Sequence, residues 1–313
     1  MNLQQLEYII AVDQLKNFSR AAEQNHVTQA TLSTMIKKLE EELDLILFDR
    51  KTKPILTTEC GKEIVAEARK VVHHAHRLKE LAKVVQNKIE GRLRIAVIPT
   101  IANALIPKLA NTLLTKYPQL ELAITEQTTE TIIEQLKSGV VDVGIAATPL
   151  GHDEIEEQIL YYEMLMVYGV ASAENTYLIP EDIRDRKVWL LEEGHCLREQ
   201  FINLCSLQKT SDLPHHFNFE ANSFDTLLNM VDEFGGLTLI PELFYDMLPA
   251  ERKQRVGLFK APIPVREVSL IYHRPYAKFR LMEVLAQEIK VLVQDKLRAN
   301  QYKKSELIIA DIY

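Results

Sequence analysis

Two of the chain's three cysteines share one stretch, Leu190-Leu-Glu-Glu-Gly-His-Cys196-Leu-Arg-Glu-Gln-Phe-Ile-Asn-Leu-Cys205. Gly194 is placed to end a strand or a turn. Leu197, Phe201, Leu204 and Cys205 then fall at i, i+4, i+7 and i+8, one face of an amphipathic helix. The spacing predicts Cys205 buried on that face and Cys196 at the helix start. Nine helical steps span about 13 Å, whereas a disulfide accepts Cα atoms only about 4.4 to 6.8 Å apart. Should these thiols ever pair, the helix between them must at least partly unwind, and a covalent event would become a change of shape.

Cys196 has neighbours suited to a reactive thiol. His195 and Arg198 bring positive charge, and the helix N-terminus adds its own partial charge, all favouring the attacking thiolate. An accessible cysteine that forms a sulfenic acid, with a second cysteine in the same segment to resolve it, is the chemistry of a reversible redox sensor. Two unrelated core cysteines fit the spacing equally well, because free cysteine is among the most buried residue types. A zinc site from Cys196, Cys205, His215 and His216 fits poorly, since no closely spaced ligand pair is present. No metal and no cofactor is expected. Cys60 is the odd cysteine.

The elements that hold this stretch belong to a chain of 313 residues, long enough for two or three domains. With 47% hydrophobic and 26% charged residues it has an ordinary globular composition. No segment resembles a signal peptide and no apolar run reaches the length of a membrane span, so a cytoplasmic location and no membrane partner are expected. Cysteines in that compartment point to regulation rather than a structural disulfide framework. The formal net charge of −7 is uneven: residues 1–90 hold 14 Lys+Arg against 13 Asp+Glu, so the acidic excess lies beyond them. Binding to nucleic acid would depend on local basic patches.

Such patches lie near the start. Leu3, Leu6, Ile9, Ile10 and Val12 predict a helix over 2–15. Ser19 is read as the cap of a short helix through Ala21, Ala22 and Gln24, and Thr28 as the cap of another reaching Leu43. In that last helix Leu32, Ile36 and Leu39 face inward, while Gln29, Thr31, Ser33, Thr34, Lys37 and Lys38 are exposed. Small hydrogen-bonding side chains followed by lysines suit a recognition helix in the major groove, with Arg20 near its entrance; an ordinary solvated face gives the same pattern. Residues 47–57 place Arg50, Lys51 and Lys53 in a turn between apolar ends, as a wing laid on phosphate would. From Thr57 or Thr58, a near-heptad stripe through Val65, Ala68, Val72, Ala75, Leu78 and Val85 predicts one long helix to about Gln86, of a kind that dimerises. His73, His74 and His76 are read as a solvated face of it.

The run Phe18-Ser-Arg-Ala-Ala-Glu-Gln-Asn-His-Val-Thr-Gln-Ala-Thr-Leu-Ser-Thr-Met-Ile-Lys-Lys-Leu-Glu-Glu-Glu-Leu-Asp-Leu-Ile-Leu-Phe-Asp-Arg50 resembles the winged helix-turn-helix of LysR-type transcription regulators. Ala30 stands where that family usually has proline, and Asp44 where it usually has glycine. After Gly91 the pattern becomes alternating strands and helices, which predicts a mostly parallel sheet covered on both faces. The resemblance implies an α/β protein with an N-terminal all-α winged helix-turn-helix, joined by a long linker helix to a two-lobed regulatory domain like periplasmic binding proteins. The domains would then be 1–57 for DNA binding, 58–90 for the linker, 91–164 plus 266–300 for lobe one, 165–265 for lobe two with the redox switch, and 301–313 as an unexplained tail.

Within that family, Gly194-His195-Cys196-Leu197-Arg198 with Cys205 resembles the peroxide-sensing OxyR regulators. Met1-Asn-Leu with Leu6-Glu-Tyr8, Ile98-Pro-Thr100, Gln127-Thr128-Thr129, Asn229-Met-Val231 and Arg274-Pro275 extend the likeness over essentially the whole chain. The resemblance implies that Cys196 is the peroxidatic residue and Cys205 the resolving one, joined as a disulfide on oxidation. Thr100, Thr129, His195, Arg198 and Arg274 would form the peroxide pocket, with Glu199 standing where aspartate is more common. It further implies promoter DNA as partner, a homodimer or tetramer, RNA polymerase, hydrogen peroxide as signal and a glutathione-linked reductant, in a regulator rather than an enzyme. Two other readings stay open: a LysR-type regulator that binds a small metabolite between its lobes with inert cysteines, and a thiol peroxidase.

Overall fold

The computed structural model describes residues 1–85, 89–170, 177–184, 186–207, 221–273 and 278–312, without side chains 73, 76, 77 and 79–85. The chain divides into two compact units, Met1–Lys88 with Pro275–Phe279, and Ile89–Arg274 with Arg280–Tyr313.

In the first unit, α1 (Leu3–Leu15) begins at a reciprocal capping box: the Asn2 side chain accepts from the Gln5 amide while the Gln5 side chain accepts from the Asn2 amide. Leu6, Ile9 and Val12 are buried, but Leu3 stays exposed, so the apolar face is narrower than expected. α2 (Phe18–Gln24) is capped by Asn17, not by Ser19: Asn17 Oδ1 accepts from the Ser19 and Arg20 amides. Ser19 is thereby left to donate its hydroxyl to Gln29 Oε1 at 2.9 Å. α3 (Gln29–Leu43) does start at Thr28, whose hydroxyl accepts from the Thr31 amide, and it buries Leu32, Ile36 and Leu39 completely. Truncating any of these three to alanine costs about 2–5 kcal/mol. Its last turn ends on Asp44 at φ +53°, the left-handed cap that favours glycine, which accounts for the residue usual in the family there.

β1 (Phe48–Asp49) and β2 (Leu56–Thr57) pair antiparallel and frame the basic turn as a hairpin. Phe48 meets Phe18 edge to face at 6.0 Å, so the hairpin is anchored in the core of the helical bundle. α4 (Glu59–Val85) follows, with Thr58 Oγ1 accepting from the Gly61 amide, and runs for 27 residues, about 40 Å. Val65 and Ala68 join the bundle core, whereas Val71 and Leu78 farther along are exposed.

The second unit starts with parallel β-α alternation: β3 (Gly91–Val97), α5 (Pro99–Lys116), β4 (Leu120–Glu126), α6 (Thr129–Lys137) and β5 (Val143–Thr148). The 14-residue β6 (Ile155–Tyr168) then leaves this group. Beyond it come β7 (Tyr177–Leu178), α7 (Glu181–Arg184), α8 (Cys196–Cys205), α9 (Phe224–Phe234), β8 (Thr238–Pro241), α10 (Glu242–Met247), α11 (Ala250–Lys253) and β9 (Val256–Phe259). The long β10 (Ile263–His273), α12 (Phe279–Val293) and β11 (Leu307–Ile309) complete it. Among the described residues the strand order is β4-β3-β5-β10-β6-β9-β7, with β11 on β10 and β8 on β6.

The sheet is mixed, not mostly parallel. β10 runs antiparallel to both β5 and β6, and β6 antiparallel to β8 and β9. The two long strands return the chain across the unit, and that return reverses their direction. β6 pairs with β10 from Ile155 to Met164, and its end pairs with β8 over Leu165–Tyr168 and with β9 at Val167 and Tyr168, so one strand serves both groups. The tail is ordered: β11 lies parallel to the start of β10, and the Ala310 amide donates to the Val265 carbonyl at 2.8 Å.

Candidate functional site

α8 spans Cys196 to Cys205, so the two cysteines stand at its opposite ends, and both thiols are free. Leu197, Phe201 and Cys205 are buried in one core cluster that also holds Trp189, Phe224 and Leu228, with Leu204 half-buried at its margin. Helical packing therefore separates the thiols by the expected length. The turn before α8 passes through Gly194 at φ +90°, a conformation that side-chain-bearing residues rarely adopt, with the space for a Cβ bounded by Thr128 Cγ2 at 3.4 Å.

Cys196 is buried rather than accessible, with 6% of its surface exposed. Its Sγ lies 2.8 Å from the hydroxyl of Thr129, itself buried as the first residue of α6. The N-terminal turns of α6 and α8 thus meet at the sulfur, and the positive ends of both helices favour negative charge there. Thr100, in the first turn of α5, is held by Arg266 of β10: Nη1 donates to its hydroxyl at 2.9 Å and Nη2 to its carbonyl at 3.0 Å. Arg266 is 1% exposed and donates through Nε to Glu163 Oε1 at 2.6 Å, while Glu163 Oε2 accepts from the Leu243 amide. The Tyr161 hydroxyl is also buried and finds no partner among the described residues. A cleft of about 360 Å³ opens beside Thr100, lined by Pro99, Asn103, Glu126, Leu191 and Phe224.

The electrostatics differ from those expected. Burial raises the Cys196 thiol above its usual range, and Glu130 adds to the rise; the Thr129 hydrogen bond and the Arg266 charge work against it. The thiol is therefore the resting form. Burial pushes Cys205 up to about 12. His195, half-buried at the N-cap of α8, is pushed down by the same cause, so it brings a neutral imidazole instead of a positive charge. Arg198 turns away and donates to the Leu191 carbonyl at 2.8 Å. Among the described residues, the cation whose charge acts on Cys196 is Arg266, which the sequence analysis does not single out. Arg274, named for that role, lies outside the described residues, as do His215 and His216; among the described residues no metal-binding group is formed.

The charged pair does carry a signal in the sequence: Glu163 and Arg266 interrupt apolar strand positions, and a charge on an inward strand face needs a partner. Thr100 and Thr129 both lie at the site, whereas Glu199 occupies the first turn of α8 with no role set by its contacts.

In the first unit, Gln29, Thr31, Thr34, Lys37 and Lys38 are exposed along α3, with Ser33 half-exposed. Thr28 and Thr31 share a hydroxyl hydrogen bond at 2.8 Å. Arg20, Lys51 and Lys53 are exposed, and Ser19 is tied to Gln29 as described. Arg50 is less free than the sequence implied: it bonds Glu40 at 2.6 Å, reaches Ser33 at 3.4 Å and lies over the Phe18 ring. Glu40 also accepts the Leu47 and Phe48 amides, an unforeseen joint between α3 and the hairpin.

No helix of the described residues is long and apolar enough to cross a membrane. Residues 3–62 match the model of the bacterial regulatory helix-turn-helix protein, lysR family, and residues 86–291 that of the LysR substrate binding domain. The chain is 36% identical to the DNA-binding transcriptional dual regulator OxyR of Escherichia coli K12, over 93% of this chain and 95% of that one. It is 34% identical to the hydrogen peroxide-inducible genes activator of Haemophilus influenzae, over 90% and 93%. Among solved structures, a full-length OxyR variant from Pseudomonas aeruginosa superposes with a TM-score of 0.76 at 31% identity, covering 93% of this chain and 98% of that one. A reduced OxyR from Porphyromonas gingivalis gives 0.59 at 28%, covering 70% and 100%. A winged helix-turn-helix followed by a two-lobed, mixed-sheet unit, with these matches along nearly its whole length, belongs to the LysR family of DNA-binding transcription regulators, in its OxyR group.

Proposed function

We propose that this chain is a redox-sensing transcription regulator in which hydrogen peroxide oxidises Cys196 and Cys205 resolves the product, and that the oxidised form activates oxidative-stress genes. The observation that carries the reading is the Cys196 sulfur, 2.8 Å from the Thr129 hydroxyl at two joined helix N-termini, with a second cysteine at the far end of the same helix. Peroxide enters beside Thr100, and the Thr100 and Thr129 hydroxyls hold it against the sulfur. Sulfur donates an electron pair to one peroxide oxygen, the S–O bond forms as the O–O bond breaks, and the departing hydroxide takes the thiol proton and leaves as water. Arg266 favours the negative charge that passes through this step.

Cys205 then attacks the sulfenic sulfur, expelling a second water and leaving a disulfide. Because the ends of α8 are about 13 Å apart, this step requires α8 to open, and the refolded segment gives the unit a different surface toward its partner subunit. One molecule of peroxide is consumed per switch and a glutathione-linked reductant resets it, so the protein is a sensor rather than an enzyme.

We assign residues 1–57 to DNA binding, 58–90 to a dimerising linker, 91–164 plus 266–300 and 165–265 to the two lobes, and read the active form as a homodimer or tetramer on promoter DNA, in the cytoplasm, touching RNA polymerase. Val71 and Leu78, exposed on α4, support the dimer. Ser19, Arg20, Thr28, Gln29, Thr31, Ser33, Thr34, Lys37 and Lys38, with Arg50, Lys51 and Lys53 on the wing, would face the duplex.

The test is intact mass with non-reducing peptide mapping before and after near-stoichiometric peroxide, on the wild type and on Cys205→Ser. A rapid Cys196–Cys205 disulfide, replaced by a sulfenic acid in the variant, supports the mechanism; two unreactive thiols overturn it. The cleft beside Thr100 favours one other reading, a small-metabolite effector with inert cysteines, under which Cys196→Ser would keep its transcriptional response.

A further inference from the structure

Glu163 touches neither cysteine, yet it is wholly buried on β6, directly opposite Arg266 on β10. Its carboxylate is fixed at both oxygens: Oε1 accepts from Arg266 Nε at 2.6 Å and Oε2 from the Leu243 amide at 3.2 Å. Holding Nε from behind fixes the plane of the guanidinium, and the two remaining nitrogens of the fork both go to Thr100. Since the Thr100 hydroxyl oxygen accepts from Nη1, its own hydrogen must point away from the guanidinium, and Thr100 lines the cleft. A carboxylate that only neutralised Arg266 would need no second anchor on the backbone. We propose that Glu163 is a positioning residue for the oxidation of Cys196 by hydroperoxide, clamping Arg266 onto Thr100 so that the hydroxyl proton and the guanidinium are aimed at the breaking O–O bond.

The proposal rests on the peroxide-sensor reading above. Glu163 makes and breaks no bond: the electron pair comes from the Cys196 sulfur, and the departing hydroxide is protonated by the thiol proton. Removing the clamp lets the fork rotate off Thr100. Such a misplacement slows a reaction that depends on both groups, and spares one that needs only the sulfur.

The experiment uses the full chain in a Cys205→Ser background, where the sulfenic acid persists, and measures two Cys196 rates by intact mass: oxidation by hydrogen peroxide and alkylation by iodoacetamide. Absence of peroxide oxidation in that parent overturns the sensor reading itself, before any Glu163 variant is made. With the parent reactive, Glu163→Gln, which keeps an acceptor for Arg266, is expected to oxidise about tenfold more slowly and Glu163→Ala about a hundredfold more slowly. Alkylation should be unchanged or faster in both. In an Arg266→Ala background, adding Glu163→Ala should change the peroxide rate by less than about threefold, because Glu163 acts only through the arginine. Glu163→Gln leaves no buried carboxylate and keeps an acceptor for Arg266, so it carries the test where Glu163→Ala or Arg266→Ala does not fold. Wild-type oxidation rates in the Glu163 variants, parallel slowing of oxidation and alkylation, or a further large loss in the Arg266→Ala background would each overturn the proposal.

Discussion

Gln200, buried in the middle of α8, donates through Nε2 to the Ala310 carbonyl at 3.0 Å, tying the cysteine-bearing helix to the end of the chain. Asn203 adds a second bond to the Asp311 carbonyl at 3.3 Å, and β11 fixes that end on β10. Deleting residues 307–313 should therefore loosen α8 from outside. The Gln200 amide would lose its partner, at a cost of about 1–3 kcal/mol, and the burial of Ala310 and Ile312 would be lost with it. Amide exchange of residues 197–205 should rise, and disulfide formation after peroxide should quicken several-fold. Unchanged exchange in α8 would show that the tail does not hold the helix.

Thr129→Val keeps the shape of the side chain and removes the hydroxyl beside Cys196. That hydroxyl is one of the influences holding the Cys196 thiol down against burial, so its loss raises the thiol further. Alkylation of Cys196 should need a higher pH in the variant than in the wild type. A hydrogen bond to a charged group is worth about 1.5–3 kcal/mol, so oxidation by peroxide should slow roughly ten- to hundredfold. An alkylation profile lying at or below the wild-type pH would contradict the assigned contact.

Cys205 links stability to alkaline pH. Its folded-state value of about 12 lies above the unfolded reference of 9.0, because burial opposes the thiolate. The folded form keeps its proton longer, so the associated stability is complete below pH 9 and is lost as pH rises toward 12. Within that window one such group contributes a slope of up to about 1.4 kcal/mol per pH unit. Cys196 is shifted in the same direction and adds to the loss. Urea unfolding of Cys205→Ala between pH 9 and 11 should show a flatter decline than the wild type, on a lower baseline from the cavity. Parallel declines would place the alkaline sensitivity elsewhere.

Glu40 joins α3 to the hairpin by accepting the Leu47 and Phe48 amides and the Arg50 guanidinium. Glu40→Ala should leave two amides and one arginine without their partner, and destabilise the first unit by about 1–3 kcal/mol. Binding to promoter DNA should weaken while Cys196 oxidises at its normal rate. A variant that binds DNA as well as the wild type would show that the hairpin keeps its place without this joint.

Local signals were the legible ones. Thr28 with Leu32, Ile36 and Leu39 fixes the start and inner face of α3, because capping and a 3.6-residue period act over a few neighbours. Ser19 offers itself as a cap in the sequence because serine and asparagine satisfy the same amides, and only the backbone selects Asn17. The expectation of a mostly parallel sheet fails at β6 and β10 because β-α alternation reports order along the chain, not the path by which two long strands return. At the site, Thr100 and Thr129 enter only through the family resemblance, since a threonine at a helix start is by itself no more than a cap. For Arg266 and Glu163 the sequence shows two charges at apolar strand positions but not that they pair, since the pairing joins positions 103 residues apart. Burial, which depends on that long-range packing, also shifts Cys196 and His195 toward their uncharged forms, against the charges expected of them.

The placement of both cysteines on one packed helix has a consequence in time. Under the proposed chemistry the first oxidation leaves α8 intact, and the second waits until the helix opens, so the rate of opening sets the delay between exposure and response. While that delay lasts, the sulfenic acid is open to a second peroxide, which carries it to the sulfinic state and out of the cycle. Under that chemistry helix stability would act as a clock against dose: a modest, sustained exposure would be reported faithfully, and a brief flood would retire part of the population before it could signal.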